Sequence, residues 1–175
     1  MLNRKGATVD PAYAFLLDGH DGGDLVAIHC EATSFDPDKA DLRAVAAVRI
    51  HGPRILTSQR LIVPFWPTEP PEPAVDALLR FIGNRPLVGY YLDFTLTLLD
   101  RLVQPVAGIT LPNERIEVSS LYYDRKRRTQ GKSVVDLRLD SIVAALGLPP
   151  RAGDDAYANA LASAMVYLRL KPPVR

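Results

Sequence analysis

Residues 25–33, LVAIHCEAT, decide how the rest of the chain is read. Four apolar residues, Leu25 to Ile28, run straight into His29, Cys30 and Glu31, the pattern of a buried strand that brings polar side chains out at its C-terminal end. Alternation along a strand puts His29 and Glu31 on one face and Cys30 on the other. A histidine and a carboxylate then share a strand end, the place where open α/β sheets bind ligands.

Working outward, Leu42 to Ile50 and Ile55 to Val63 form a hairpin around His51-Gly52-Pro53, stopped by Pro64. Residues 64–73, PFWPTEPPEP, hold five prolines and read as a stiff surface connector. A helix is expected from Pro73 to Ile82, then a short strand Pro86 to Gly89, and a helix from Leu92 to Val103 closed by Pro105. Ile116 to Val118 fit a fifth strand, and Ser119 to Arg125, Asp136 to Leu146 and Asp154 to Leu170 fit helices. Residues 1–22, broken by GHDGG, read as an extension with a docked patch at Tyr13 to Leu17, and residues 23–175 as one domain.

Composition narrows the function. The 175 residues are 47% hydrophobic and 23% charged, with a formal charge of +1, so nothing pulls the whole molecule toward nucleic acid or membrane, and any such binding must be local. The single cysteine, Cys30, excludes an internal disulfide framework and a cysteine zinc site, and its strand position makes it a buried thiol. No apolar run approaches about 20 residues and the N-terminus lacks a signal-peptide core, so the expected location is cytoplasmic, with no membrane contact.

The run AIHCEATSFDPDKADLRAVAAVRI, residues 27–50, resembles the first motif of the DnaQ-like (DEDD) 3′-5′ exonucleases, a family that includes polymerase proofreading subunits, RNase T and oligoribonuclease. PLVGYYLDFTLTLL (86–99) resembles the second motif, and DDAYANALASAMVYLRL (154–170) the third motif of the branch that uses a histidine, DEDDh. The resemblance covers roughly residues 24–170. It implies a ribonuclease H-like α/β fold in three layers, a mixed five-stranded sheet flanked by helices. It also implies a two-metal phosphodiesterase, in which several carboxylates hold divalent cations about 4 Å apart and one metal activates water.

Carried over position by position, the motifs are degenerate. The first aspartate falls on His29, the second-motif aspartate on Thr95, the third-motif histidine on Asp154 and its aspartate on Asn159; Glu31 alone of the five is retained. No metal is expected, and Glu31 and Asp154 are the ligands if one binds. No cofactor is expected either, with Mg²⁺ or Mn²⁺ required if the protein is active. His29 and Asp154 exchange the family's residue types, which leaves two readings open. A charged His29 pairs with Asp154 and Glu31 in place of metal, or the two positions changed independently.

The cluster RKRRTQGK, residues 125–132, offers Arg125, Lys126, Arg127, Arg128 and Lys132 to phosphates in a loop. Tyr122 and Tyr123 precede it, and Tyr90 and Tyr91 line the expected cleft, either as aromatic surfaces for bases or, with the cluster a solvated loop, as side chains packed into the cleft wall and core. The expected role is binding without catalysis. The candidate partners are single-stranded nucleic acid or a nucleotide, a protein partner, or a second copy of the chain. The alternatives are an active 3′-5′ exonuclease with an atypical metal site and a structural subunit without nucleic-acid contact.

Overall fold

A computed structural model of the chain describes residues 8–65, 72–131 and 134–171. Three strands come first: β1 (Asp24–Ala32), β2 (Leu42–His51) and β3 (Arg54–Pro64), paired antiparallel as the hairpin pattern requires. After α1 (Glu72–Ile82) come β4 (Leu87–Gly89), α2 (Leu92–Ala107), β5 (Arg115–Glu117), α3 (Val118–Gln130), α4 (Leu139–Ala145) and α5 (Ala156–Leu170). The sheet order is β3-β2-β1-β4-β5, with β1/β4 and β4/β5 parallel. At β1 the sheet changes from antiparallel to parallel, a switch point of the kind at which open α/β sheets bind ligands.

Alternation along β1 divides the core. Val26, Ile28 and Cys30 join Val45 and Ala47 under α1, α2 and a 3-10 helix over Pro11–Leu17, which buries Tyr13 and Leu16. Ala27 joins Val48, Ile50 and Val88 on the other face under α3, α4 and α5. The fold is thus an α/β sandwich of helices, sheet and helices in the ribonuclease H-like arrangement.

The N-terminal segment is tied to the body at one glycine. Gly108 ends α2 at φ +75, and a Cβ there would lie 2.4 Å from the Thr8 carbonyl oxygen, so only glycine admits the chain that crosses it. The Asp10 N–H donates to the Ala107 carbonyl beside it.

Several boundaries differ from the sequence expectations. Pro105 does not close α2 but lies inside it; the helix runs on to bury Ala107 and closes where the Gly108 N–H donates to Gln104. α4 starts at Leu139 rather than Asp136, because Asp136 is a cap-like residue that accepts from the Arg138 N–H and the Ser141 hydroxyl. α5 starts at Ala156 with Asp155 as its N-cap, so Asp154 lies just outside the helix. The largest difference is α3, which continues through Gln130. Arg125, Lys126, Arg127 and Arg128 therefore sit on helical turns and not on a loop. Lys132 and residues 66–71 of the proline-rich connector lie outside the described residues.

Candidate functional site

The C-terminal end of β1 places His29 and Glu31 on the α5 face and Cys30 on the α2 face, as the alternation predicts. Their partners come from within the chain. Glu31 Oε1 accepts the Ala156 N–H at 2.6 Å, which satisfies a donor in the first turn of α5 and sets a carboxylate at the positive end of that helix. Cys30 Sγ donates to Thr95 Oγ1 at 3.5 Å, both wholly inside, and burial pushes the thiol up to about 11. Thr95, which the resemblance sets at the second-motif aspartate, thus faces the apolar side of the sheet.

Arg151 organises the corner at the start of α5. Its guanidinium, only 15% exposed, forks onto Asp140 (Nε to Oδ1 2.6 Å, Nη2 to Oδ2 2.7 Å). Its Nη1 also donates to Asp154 Oδ1 at 2.5 Å and Asn159 Oδ1 at 2.6 Å. Hydrogen bonds from Arg151 hold both carboxyls below the usual carboxylate range, and the same bonds raise the guanidinium above its own. Asp154 is therefore engaged by Arg151, not by His29. Burial pushes His29 below the ordinary histidine value, and the Arg151 cation pushes it further, so its ring is neutral near pH 7. Its Nδ1 is buried without a hydrogen-bond partner. The cation beside Asp154, which one of the two open readings assigned to His29, is an arginine. Nothing in the motif spacing pointed to Arg151, since its main partner, Asp140, lies eleven residues earlier.

These residues do not fit the metals that the family resemblance implies. Among the described residues, no three His, Cys, Asp or Glu side chains converge as a divalent cation requires. A cation at Asp154 and Asn159 would have to displace the guanidinium that bridges them.

Beside this corner lies a cleft of about 750 Å³ between the start of α2 and the segment leading into α4. Tyr90, Tyr91, Phe94, Val135 and Leu137 supply apolar walls. Tyr91 is the non-glycine residue at positive φ (+55) among the described residues and caps α2 without a side-chain hydrogen bond. Glu117 does that work instead. Its Oε2 accepts the Leu92 N–H at 2.8 Å, while Oε1 accepts the Ser119 N–H and hydroxyl, so one carboxylate serves the starts of α2 and α3. The Tyr90 and Tyr91 rings meet edge to face at 5.1 Å.

The basic residues occupy the later turns of α3, about 9 Å (Arg125) to about 14 Å (Arg128) along the helix from Ser119, which lines the cleft. Arg125 donates to the Arg169 carbonyl, Lys126 lies over the Tyr122 ring and Arg127 over the Tyr123 ring. Tyr122 is buried, whereas Tyr123 remains exposed beside Arg127. The structure therefore separates the tyrosines of the cleft from the cationic surface.

The architecture defines a fold class seen in exonucleases. It is similar to a moderately thermophilic exonuclease I from Methylocaldum szegediense, with a TM-score of 0.65 at 12% identity, over 83% of this chain and 40% of that one. It is also similar to E. coli exonuclease I in its zinc-bound complex with single-stranded DNA (0.64, 13%, 86% and 40%) and to cell-death related nuclease 4 (0.62, 13%, 85% and 63%). The chain spans less than two thirds of each of these proteins. No protein-family model matches the chain, and no curated protein matches it in sequence. Among the described residues no helix is long and apolar enough to cross a membrane.

Proposed function

We propose that this chain is a catalytically silent homologue of the 3′-5′ exonucleases that acts by binding. The observation that carries the reading is the Arg151 fork: an internal cation bridges Asp154 and Asn159 while Glu31 is engaged by the Ala156 N–H. Two-metal hydrolysis needs several carboxylates free to ligate. Here the retained glutamate caps a helix, the second-motif position is a buried threonine, and the third-motif pair is neutralised from within. Among the described residues no group of three His, Cys, Asp or Glu side chains offers Mg²⁺ or Mn²⁺ a donor set.

The ligand of this reading is a single-stranded nucleic acid or nucleotide held by Arg125, Lys126, Arg127 and Arg128, with exposed Tyr123 beside them for stacking. E. coli exonuclease I, which shares the fold, is complexed with single-stranded DNA. Two measurements test the reading. End-labelled DNA and RNA incubated with purified protein and Mg²⁺ or Mn²⁺ should keep their length, and sustained shortening that Glu31→Ala abolishes would overturn the silent assignment. Wild type should bind a short oligonucleotide with a steep salt dependence. Replacing Arg125, Arg127 and Arg128 together with Ser should reduce the salt slope by roughly two units, at about 0.7 per lost phosphate contact.

A further inference from the structure

We infer that the cleft beside α2 docks a basic segment of a partner protein, with Arg or Lys flanked by apolar side chains. Its apolar surface is exposed in a way the rest of the molecule avoids. Of the seven large hydrophobic residues exposed among the described residues, Tyr91, Val134 and Leu137 line the cleft, and a fourth, Phe35, packs on Phe94 at its edge, 6.3 Å between ring centroids. Phe35 is 92% exposed and Tyr91 63%, and a contiguous patch of this kind marks a surface that something covers. Because the patch runs past the cleft to Phe35, it suits a segment presenting several side chains rather than one small molecule.

Charge selects the occupant. The lining carries the carboxylates Asp93, Glu117 and Asp136 against one cation, Arg138. Arg138 is closed onto Asp136, and neighbouring Arg115 is closed onto Asp93 at 2.8 Å. Glu117 is bonded to the uncharged donors of Leu92 and Ser119. The adjoining corner adds Glu31, Asp140 and Asp154 against Arg151. A phosphodiester would enter a field of its own sign, with each lining guanidinium already closed on a carboxylate. A guanidinium or ammonium would instead meet carboxylates and the faces of two tyrosines. The left-handed backbone of Tyr91 holds one of those rings at the rim.

The inference rests on the silent-site reading in one respect, that no metal offsets the neighbouring carboxylates. The nuclease assay tests that reading and the following experiment tests this one, so the two fail separately. Random peptides displayed on phage are selected on the immobilised full chain, and the winning sequence is synthesised and titrated. The expected winners carry Arg or Lys beside aromatic or aliphatic residues. They should bind at least about tenfold more weakly to Tyr91→Gly, the scale of losing one aromatic anchor, and also to the charge reversal Asp93→Lys. Glycine is at home at positive φ, so Tyr91→Gly should keep the wild-type melting temperature, which separates lost docking from lost folding. Acidic winners, no enrichment, or equal binding to wild type and both variants would overturn the proposal. So would an oligothymidylate that competes with the peptide and is itself lost in Tyr91→Gly.

Discussion

Two neighbouring regions of the molecule dispose of their side chains in opposite ways. At the corner where β1 meets α5, every charged group is partnered from within: Arg151 with Asp140 and Asp154, and also with Asn159, and Glu31 with the Ala156 N–H. In the cleft beside α2 the polar groups are also partnered, but the apolar ones stand in water, with Tyr91 and Leu137 exposed. A ligand at the corner must displace charge-assisted hydrogen bonds, each costing about 1.5–3 kcal/mol. A ligand in the cleft displaces only water and gains about 25 cal/mol for each Å² of apolar surface covered. The corner is built to hold the fold together, whereas the cleft remains open to a partner.

The comparison breaks most severely if Arg151 is removed. Arg151→Met keeps the apolar stem and deletes the fork, leaving Asp140 and Asp154 to water and the buried Asn159 Oδ1 without its donor. Both carboxylates are largely exposed and can resolvate, so the loss is about 2 kcal/mol rather than that of a fully buried pair. Thermal unfolding followed by circular dichroism should show a melting temperature lower by about 6 °C. An unchanged value would mean that the guanidinium contributes nothing to the corner.

Glu31 sharpens the comparison, because a helix cap and a metal ligand respond differently to the same substitutions. Glu31→Ala removes the acceptor for the Ala156 N–H and should cost about 1 kcal/mol. Glu31→Gln keeps an acceptor oxygen and should cost only a few tenths, the loss of a charge at a helix N-terminus. Millimolar Mg²⁺ should leave the melting temperature of all three proteins unchanged. A saturable rise confined to wild type would return Glu31 to the role of ligand.

Much of this was legible in the sequence, and the misses have physical reasons. Alternation in Leu25 to Glu31 placed His29 and Glu31 on one face because the strand's period of two leaves no freedom. The antiparallel hairpin and the helix closed by Gly83 were read from apolar spacing in the same way. The second half of α3 was missed because Asp124 to Gln130 has no apolar face to reveal a period. It is held by other means: helix-forming Arg, Lys and Gln, ring contacts four residues apart between Tyr122 and Lys126 and between Tyr123 and Arg127, and the Gly131 N–H closing onto Arg127. Of the two readings left open for His29 and Asp154, direct pairing is not what the structure shows, for a different reason. Proximity of the two positions was readable, but the burial that keeps a histidine neutral, and an arginine arriving from the loop after α4, are properties of the folded chain.

The smallest expected effect is a slope rather than a loss, and it belongs to the one member of the corner with an unsatisfied polar atom. His29 Nδ1 is buried without a partner, and burial together with Arg151 holds the ring below the ordinary value of about 6.5. Above that value the ring is neutral in both folded and unfolded chains, and it adds no pH dependence. As pH falls through about 6.5 the unfolded chain takes up the proton first, so stability declines, and it levels off below the folded value. His29→Gln removes this titration, and the difference between the two stability curves isolates it from His20 and His51, which both proteins retain. The curve of Arg151→Met then tests the cause. Deleting the cation while leaving Asp154, which acts in the opposite direction on the ring, should raise the folded pKa of His29 and flatten the acid decline. An acid decline as steep in Arg151→Met as in wild type would show that burial alone keeps His29 neutral, and that the guanidinium acts only on its carboxylates.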